Sequence, residues 1–284
     1  MSEALSGYPL LALSFIFGLL VGSFLNVVVY RLPLQLQGAW RRESLDFLGM
    51  EPEVDAPNIN LVSPNSHCPK CEAPIKPWQN IPVISYLFLK GRCHNCATPI
   101  SIQYPLLELL CGLLTLAAIY TFGFTPEGLL AVLFTWILIA LTGIDFNHHL
   151  LPDTMTLPLL WLGLIANVNG LFTDLPSAVI GAVAGYLSLW SVFWLFKLVT
   201  GKDGMGYGDF KLLAALGAWV GWQQLPLIIL LSSLVGAIIG TLAIVIQGRD
   251  RRSAIPFGPY LAIAGWIALC KGEQITYAYL GLFH

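Results

Sequence analysis

Two groups of residues in this chain are of types and spacings that do chemistry. One is a set of four cysteines, Cys68-Pro-Lys-Cys71 and Cys93-His-Asn-Cys96. Each pair can turn two thiolates toward one tetrahedral metal, and two such knuckles at this separation form a zinc-ribbon pattern. Four thiolates leave no open position for water or substrate, so the metal has a structural use. A pair of disulfides is the alternative in an oxidising compartment. His67 and His94 flank the knuckles as spare ligands at best, and Cys111 and Cys270, single in apolar runs, read as packing residues.

The second group is made of carboxylates at the edges of apolar runs. Gly204-Met-Gly-Tyr-Gly-Asp-Phe-Lys211 sets Asp209 among glycines between two such runs. An ionisable residue beside a membrane span is costly and by default functional. Glycines there allow positive φ, a broken helix and a close chain approach. A plain capped turn between two helices is the alternative. Asp145 closes one apolar run and Asp153 opens the next. Two carboxylates sharing a site do not both ionise cheaply, so one keeps a proton. The charged one can take a proton from water attacking a peptide carbonyl while the protonated one hydrogen-bonds the carbonyl oxygen. Asp153, after Pro152, suits a helix cap better than catalysis, and Glu108 suits the first turn of a helix beginning at Pro105. His148 and His149 can reach the pair but fit a solvated loop.

The elements that position these residues follow from composition. The chain has 284 residues, of which 56% are hydrophobic and 11% charged, against ~25% charged in soluble domains. It reads as an all-α polytopic membrane protein of about eight transmembrane helices, near residues 10–30, 105–122, 128–144, 154–171, 176–199, 209–222, 226–246 and 257–271. The first run has no basic n-region and is too long for a signal-peptide core, so it stays as a span. With an external N-terminus, every one of the 14 Lys and Arg except Lys271 falls on the cytosolic side, including Arg249, Arg251 and Arg252. Asp145, Asp153 and Asp209 then share the cytosolic border. The short run at 209–222 covers about 21 Å, less than a ~30 Å core, which sets Asp209 below the surface in a water-filled cleft.

Three segments result. Residues 1–30 are the first span, 31–104 a small cytosolic zinc-ribbon-like domain, and 105–284 the membrane domain that carries the aspartates. Residues 41–65 show no periodicity and are expected to be irregular. No repeat with a period of 20 to 50 residues is apparent. A net charge of −2 says nothing about nucleic acid, and no basic aromatic groove is visible.

Taken together these motifs resemble the type IV prepilin peptidases, bifunctional inner-membrane aspartic enzymes of type IV pilus and type II secretion systems. The resemblance covers nearly the whole chain. It includes Gly22-Ser-Phe-Leu-Asn-Val-Val-Val-Tyr-Arg-Leu-Pro33, both knuckles, Asn80-Ile-Pro-Val-Ile-Ser-Tyr86, Ile100-Ser-Ile-Gln-Tyr-Pro105, Leu151-Pro-Asp153, the stretch from Gly204 to Lys211, and Ile255-Pro-Phe-Gly-Pro-Tyr260. It implies that Asp145 and Asp209 are the catalytic pair, the latter in a G-x-G-D motif shared with presenilin-like proteases. It implies that Cys68, Cys71, Cys93 and Cys96 hold zinc and that Gly91 serves methyl transfer. The expected activity is removal of the basic leader from prepilins and pseudopilins on the cytosolic side of the bacterial inner membrane. Methylation of the new N-terminus with S-adenosylmethionine follows. No glycine-rich dinucleotide fingerprint appears, so spacing does not place that cofactor. Membrane lipid is the remaining partner, and nucleic acid is not one. The alternatives are a general G-x-G-D intramembrane protease and a membrane transporter with a zinc-ribbon sensor.

Overall fold

A computed structural model describes residues 2–50, 60–247 and 256–281, so Arg249, Arg251, Arg252 and Ile255 lie outside the described residues. The helices are α1 (Ser2–Phe47), α2 (Ile84–Phe88), α3 (Gln103–Phe122), α4 (Pro126–His148), α5 (Asp153–Val168), α6 (Leu175–Thr200), α7 (Tyr207–Val220), α8 (Leu225–Gln247) and α9 (Gly258–Leu280). Among the described residues, five stretches are long and apolar enough to cross a membrane: α1, α3, α4, α6 and Trp222–Leu242 within and just before α8. The chain divides into two compact units, Met1–Tyr120 and Thr121–His284.

In the first unit α1 runs well past the expected end of its span. It has 46 residues, about 69 Å at ~1.5 Å per residue, and continues through Pro33 to Phe47. The expectation of irregular structure therefore fails for residues 41–47; residues 51–59 lie outside the described set. Loss of apolar character ended the predicted span, but Leu, Gln, Ala, Arg and Glu after Pro33 are good helix formers in water as well. Lower down, α1 packs on α3 through small residues. A Cβ at Gly22 would stand 2.8 Å from the Glu108 Cα, and one at Gly18 would stand 2.7 Å from the Thr115 hydroxyl. Close backbone approach of this kind replaces the hydrophobic effect as the packing force between helices in lipid.

Between α1 and α3 the chain folds around the cysteines in two copies of one turn, offset by 25 positions. His67 bridges Pro74 as Arg92 bridges Pro99. The Glu72 amide donates to the Cys68 carbonyl at 2.9 Å and the Ala97 amide to the Cys93 carbonyl at 3.0 Å. Glu72 and Ala97 both have positive φ, 54° and 56°. This corrects the reading that no repeat is present. The shared letters are only Cys-x-x-Cys-x-x-Pro-Ile, too sparse to show as a periodic pattern.

The second unit is organised on α7, whose residues from Asp209 to Val220, Lys211 apart, are buried. It packs against α5, α6 and α9. Gly181 of α6 meets Gly217 of α7 backbone to backbone, and a Cβ at Gly185 would stand 2.7 Å from the Leu213 carbonyl oxygen. The 14-residue length of α7 is thus accommodated by enclosure in protein. Asn167, fully buried, ties the far end together. Its amide donates to the carbonyls of Ala218 and Trp219, and its oxygen accepts from the amides of Phe172 and Thr173.

Candidate active site and metal centre

Four chain ends of the second unit converge at the start of α7. Asp145 lies in the last turn of α4, inside a helix that runs on to His148, past the expected boundary at residue 144. Asp209 is the third residue of α7. Their side chains are 6% and 7% exposed, and the two carboxylates are close enough to act on each other electrostatically. Asp145 Oδ2 accepts the Gly258 amide N–H at the start of α9, 2.9 Å away. Leu151 fills the space between the two helix starts. A Cβ at Gly258 would stand 3.1 Å from Leu151 Cδ2, and one at Gly208 would stand 2.7 Å from Leu151 Cβ.

The glycines around Asp209 earn their place by smallness rather than by backbone angle. None of Gly204, Gly206 and Gly208 has positive φ; that conformation falls to Gly201, which ends α6. Gly204 and Gly208 are covered by Phe196 and Leu151, whereas a Cβ at Gly206 would have only Asp209 Oδ2, at 3.7 Å, and the Gly208 amide nearby. Room for another chain is therefore confined to Gly206, beside the carboxylate. The preceding loop is tied back by the Lys197–Asp203 ion pair at 2.9 Å, and Tyr207 packs at a tilt against both Phe193 and Phe210, which also touch each other.

Asp153 does not cap α5. Pro152 occupies the N-cap without a side-chain bond, and both Asp153 oxygens lie 2.7 Å from Lys211 Nζ on α7. Asp153 is more than half exposed in that pair and is not part of the buried carboxylate couple. His148 is half-buried and His149 exposed, its φ of 52° closing α4. Glu108 falls in the second turn of α3, not the first, and accepts the Val83 amide at 2.7 Å.

In the first unit the four cysteines form one cluster, their sulfurs all within 4.8 Å of one another. Cys68 and Cys96 sulfurs are 3.8 Å apart, the edge length of a tetrahedron with ~2.3 Å zinc–sulfur bonds. The Thr98 hydroxyl, 3.2 Å from Cys96 Sγ, is the main cause that brings that thiol down to about 6, helped by the Thr98 amide and by the Cys71 and Cys93 thiols. Asn95 donates to Cys71 Sγ at 3.5 Å. These donors suit thiolates rather than thiols. His67 bonds the Asn65 carbonyl and His94 sits edge-on to Trp78, so neither joins the cluster. Cys111 is fully buried in the packing of α1 on α3, as expected of a core residue.

Gly91 has a local reason for its identity. Its φ is +67° and a Cβ would stand 2.9 Å from the Tyr86 ring. Its amide donates to the Tyr86 carbonyl, ending α2, and its carbonyl accepts from Ile100 across the second knuckle. Sequence reasoning missed the Gly258 donor and the Leu151 wedge. Both lie in quoted motifs, but their contact with Asp145 and Gly208 is visible only in three dimensions.

Residues 16–122 match the bacterial peptidase A24 N-terminal domain, and residues 132–241 match the type IV leader peptidase family. The chain is 58% identical over 280 residues to the prepilin leader peptidase/N-methyltransferase of Pseudomonas aeruginosa, covering 98% of this chain and 97% of that one. It is 55% identical over 280 residues to the protein of that name from Stutzerimonas stutzeri, covering 98% and 97%. Over 284 residues it is 55% identical to the one from Aeromonas hydrophila, covering 99% and 98%. No solved structure matches the chain.

Proposed function

Because the chain belongs to the type IV leader peptidase family, we propose that it cleaves the leader from type IV prepilins and pseudopilins and then N-methylates the new N-terminal residue with S-adenosylmethionine. The observation that carries the peptidase reading is the pair of buried carboxylates, Asp145 and Asp209, brought to one end of one unit from separate helices. One carboxylate takes a proton from the attacking water, and the other donates to the scissile carbonyl oxygen. Gly206, with open space beside Asp209, is where the substrate backbone approaches. The Gly258 amide fixes one oxygen of Asp145 and leaves the other for the water.

The functional division runs as residues 1–30 for the first span, 31–104 for the cytosolic cysteine domain and 105–284 for the peptidase domain. The eight helices other than α2 each overlap one of the eight apolar runs, which supports α5, α7 and α9 as further spans beside the five that are long and apolar enough by themselves; of these three, α7 is enclosed by its neighbours. With 13 of the 14 basic residues in segments on one side of these spans, Lys271 being the exception, the positive-inside rule supports an external N-terminus and aspartates on the cytosolic face of the inner membrane. Cys68, Cys71, Cys93 and Cys96 hold a structural zinc ion, which fastens the two knuckles of a domain with little core of its own. Gly91 serves methyl transfer by shaping the second knuckle, through its positive φ and its contact with Tyr86.

One assay tests the whole reading. Purified enzyme is incubated with a prepilin and labelled S-adenosylmethionine, and the shortened product and methyl incorporation are read separately. A shortened, labelled pilin is expected. An intact prepilin overturns the peptidase assignment, and a shortened but unlabelled one overturns the methyl-transfer assignment.

A further inference from the structure

The cysteine segment carries its most apolar surface uncovered. Ile84, Leu87 and Phe88 stand at i, i+3 and i+4 on one face of α2 and are 51%, 68% and 81% exposed. Ile81 before α2 and Ile102 before α3 are exposed as well. A contiguous apolar face of this kind marks an interaction site.

Two observations decide what covers it. The first is its level. The Val83 residue that opens α2 has φ 60° and ψ −46°, a conformation that β-branched residues rarely adopt. The turn persists because the buried Glu108 carboxylate accepts the Val83 amide at 2.7 Å. Glu108 is the sixth residue of α3, about 7.5 Å from the helix start, and α3 is one of the helices fit to cross a membrane. The Asn26 amide donates to the Tyr104 carbonyl at 3.1 Å and registers α1 at the same height. There Tyr30 and Tyr104 are exposed, as aromatic residues are at membrane–water interfaces. The apolar face of α2 therefore begins within one hydrogen bond of the bilayer border.

The second observation is charge. Lys90 and Arg92 follow α2 directly and are exposed. Across residues 60–102 the charged side chains are Lys70, Lys76, Lys90 and Arg92 against Glu72 alone. Basic residues beside an apolar helical face fit a surface of anionic headgroups.

We propose that α2 is a membrane-surface anchor. Ile84, Leu87 and Phe88 seat in the headgroup and outer acyl layer of the leaflet at the start of α3. Lys90 and Arg92 meet anionic headgroups, and the four-cysteine cluster is held at the bilayer by the Glu108–Val83 link. This rests on α3 crossing the membrane and is independent of the peptidase reading.

The test uses the full chain in nanodiscs containing a diazirine-bearing phospholipid, with photoadducts mapped by mass spectrometry. Adducts are expected on residues 84–88 at a yield comparable to the lipid-facing side of α3, around Leu109 and Leu113. Replacing about a third of the phosphatidylcholine by phosphatidylglycerol should raise that yield about twofold. The Leu87→Ser, Phe88→Ser variant should lose about fivefold or more of it, with α3 labelling and metal content unchanged. Lys90→Glu with Arg92→Glu should abolish the phosphatidylglycerol effect. The wild-type result decides without any variant: labelled α3 with unlabelled 84–88 overturns the proposal. Cross-linking of Leu87 or Phe88 to a second copy or to a prepilin, in place of lipid adducts, also overturns it.

Discussion

Gly208→Ala adds a single methyl group at the joint that aligns the two aspartates. Its Cβ would lie 2.7 Å from Leu151 Cβ and 3.3 Å from Cδ1. Ordinary contact begins at 3.4 Å, so the segments must part by about 0.7 Å. Leu151 cannot absorb that shift freely, because its Cδ2 already reaches toward Gly258, whose amide holds Asp145. The displacement passes to the start of α7 and Asp209, or through Gly258 to Asp145. Overpacking of this kind costs about 1–3 kcal/mol, and a ~1 Å misplacement of reacting groups costs about 10²-fold in rate. We expect kcat for prepilin cleavage to fall about ten- to a hundredfold with KM within about twofold. Methyl transfer to a pre-cleaved pilin peptide reports that the protein is folded. Leu151→Ala removes the Cγ and Cδ atoms that transmit the push, so adding Gly208→Ala to it should cost about tenfold less than in the wild-type background. Wild-type cleavage by Gly208→Ala, or the same loss in both backgrounds, refutes the reasoning.

Asp145→Asn and Asp209→Asn should each reduce cleavage by at least about 10²–10⁴-fold while methylation of a pre-cleaved peptide persists, measured with labelled S-adenosylmethionine. Asp153→Asn breaks only a partly exposed ion pair worth less than about 1 kcal/mol, so cleavage within about threefold of wild type is expected; a loss matching Asp145→Asn would make Asp153 a third catalytic carboxylate. Cys68→Ser should take bound zinc from about one ion per chain toward none, read by elemental analysis, and retention of zinc would remove the cluster assignment. Gly91→Ala imposes a left-handed backbone on alanine at about 1–2 kcal/mol and a contact 2.9 Å from Tyr86. It should lower methyl transfer with cleavage intact, and part of the loss should return in a Tyr86→Ala background, which removes the contact but not the backbone strain.

The residues of each candidate centre were legible because local pattern specifies them. Paired knuckles need only i,i+3 spacing, and charges at the ends of apolar runs stand out against a sequence in which charge is rare. The structure brings the cysteine sulfurs into one cluster and sets the two aspartates at one end of their unit. Partners were not legible, because they come from afar. Gly258 meets Asp145 across 113 positions and Lys211 meets Asp153 across 58. The end of α1 at Phe47 was not legible either, since hydropathy reports where lipid stops and not where a helix stops. Glu108 was read as a dipole-favoured acid because a carboxylate near a helix start satisfies that rule. Its true partner, the amide of a residue with φ 60°, follows no sequence rule.

The two centres are held by different physics, and this separates their failure modes. The cysteine turns repeat the same short hydrogen bonds within about eight residues each, and little apolar core surrounds them. The proposed metal ion, when bound, would close the link between them, and chelation would remove the strongest tie in that segment. The aspartates instead sit on the ends of helices around α7, whose buried face includes Phe210, Leu213, Leu216 and Trp219. Gly181 and Gly217 lock α6 to α7 by backbone contact that only glycine permits. Chelation should therefore leave the carboxylate pair aligned, and the two activities should part under it, methyl transfer failing first. Conversely, Gly217→Ala should pry α6 from α7 and cost cleavage with the metal still bound. Loss of both activities together under chelation alone would mean that the aspartates depend on the metal, against the packing that holds α7.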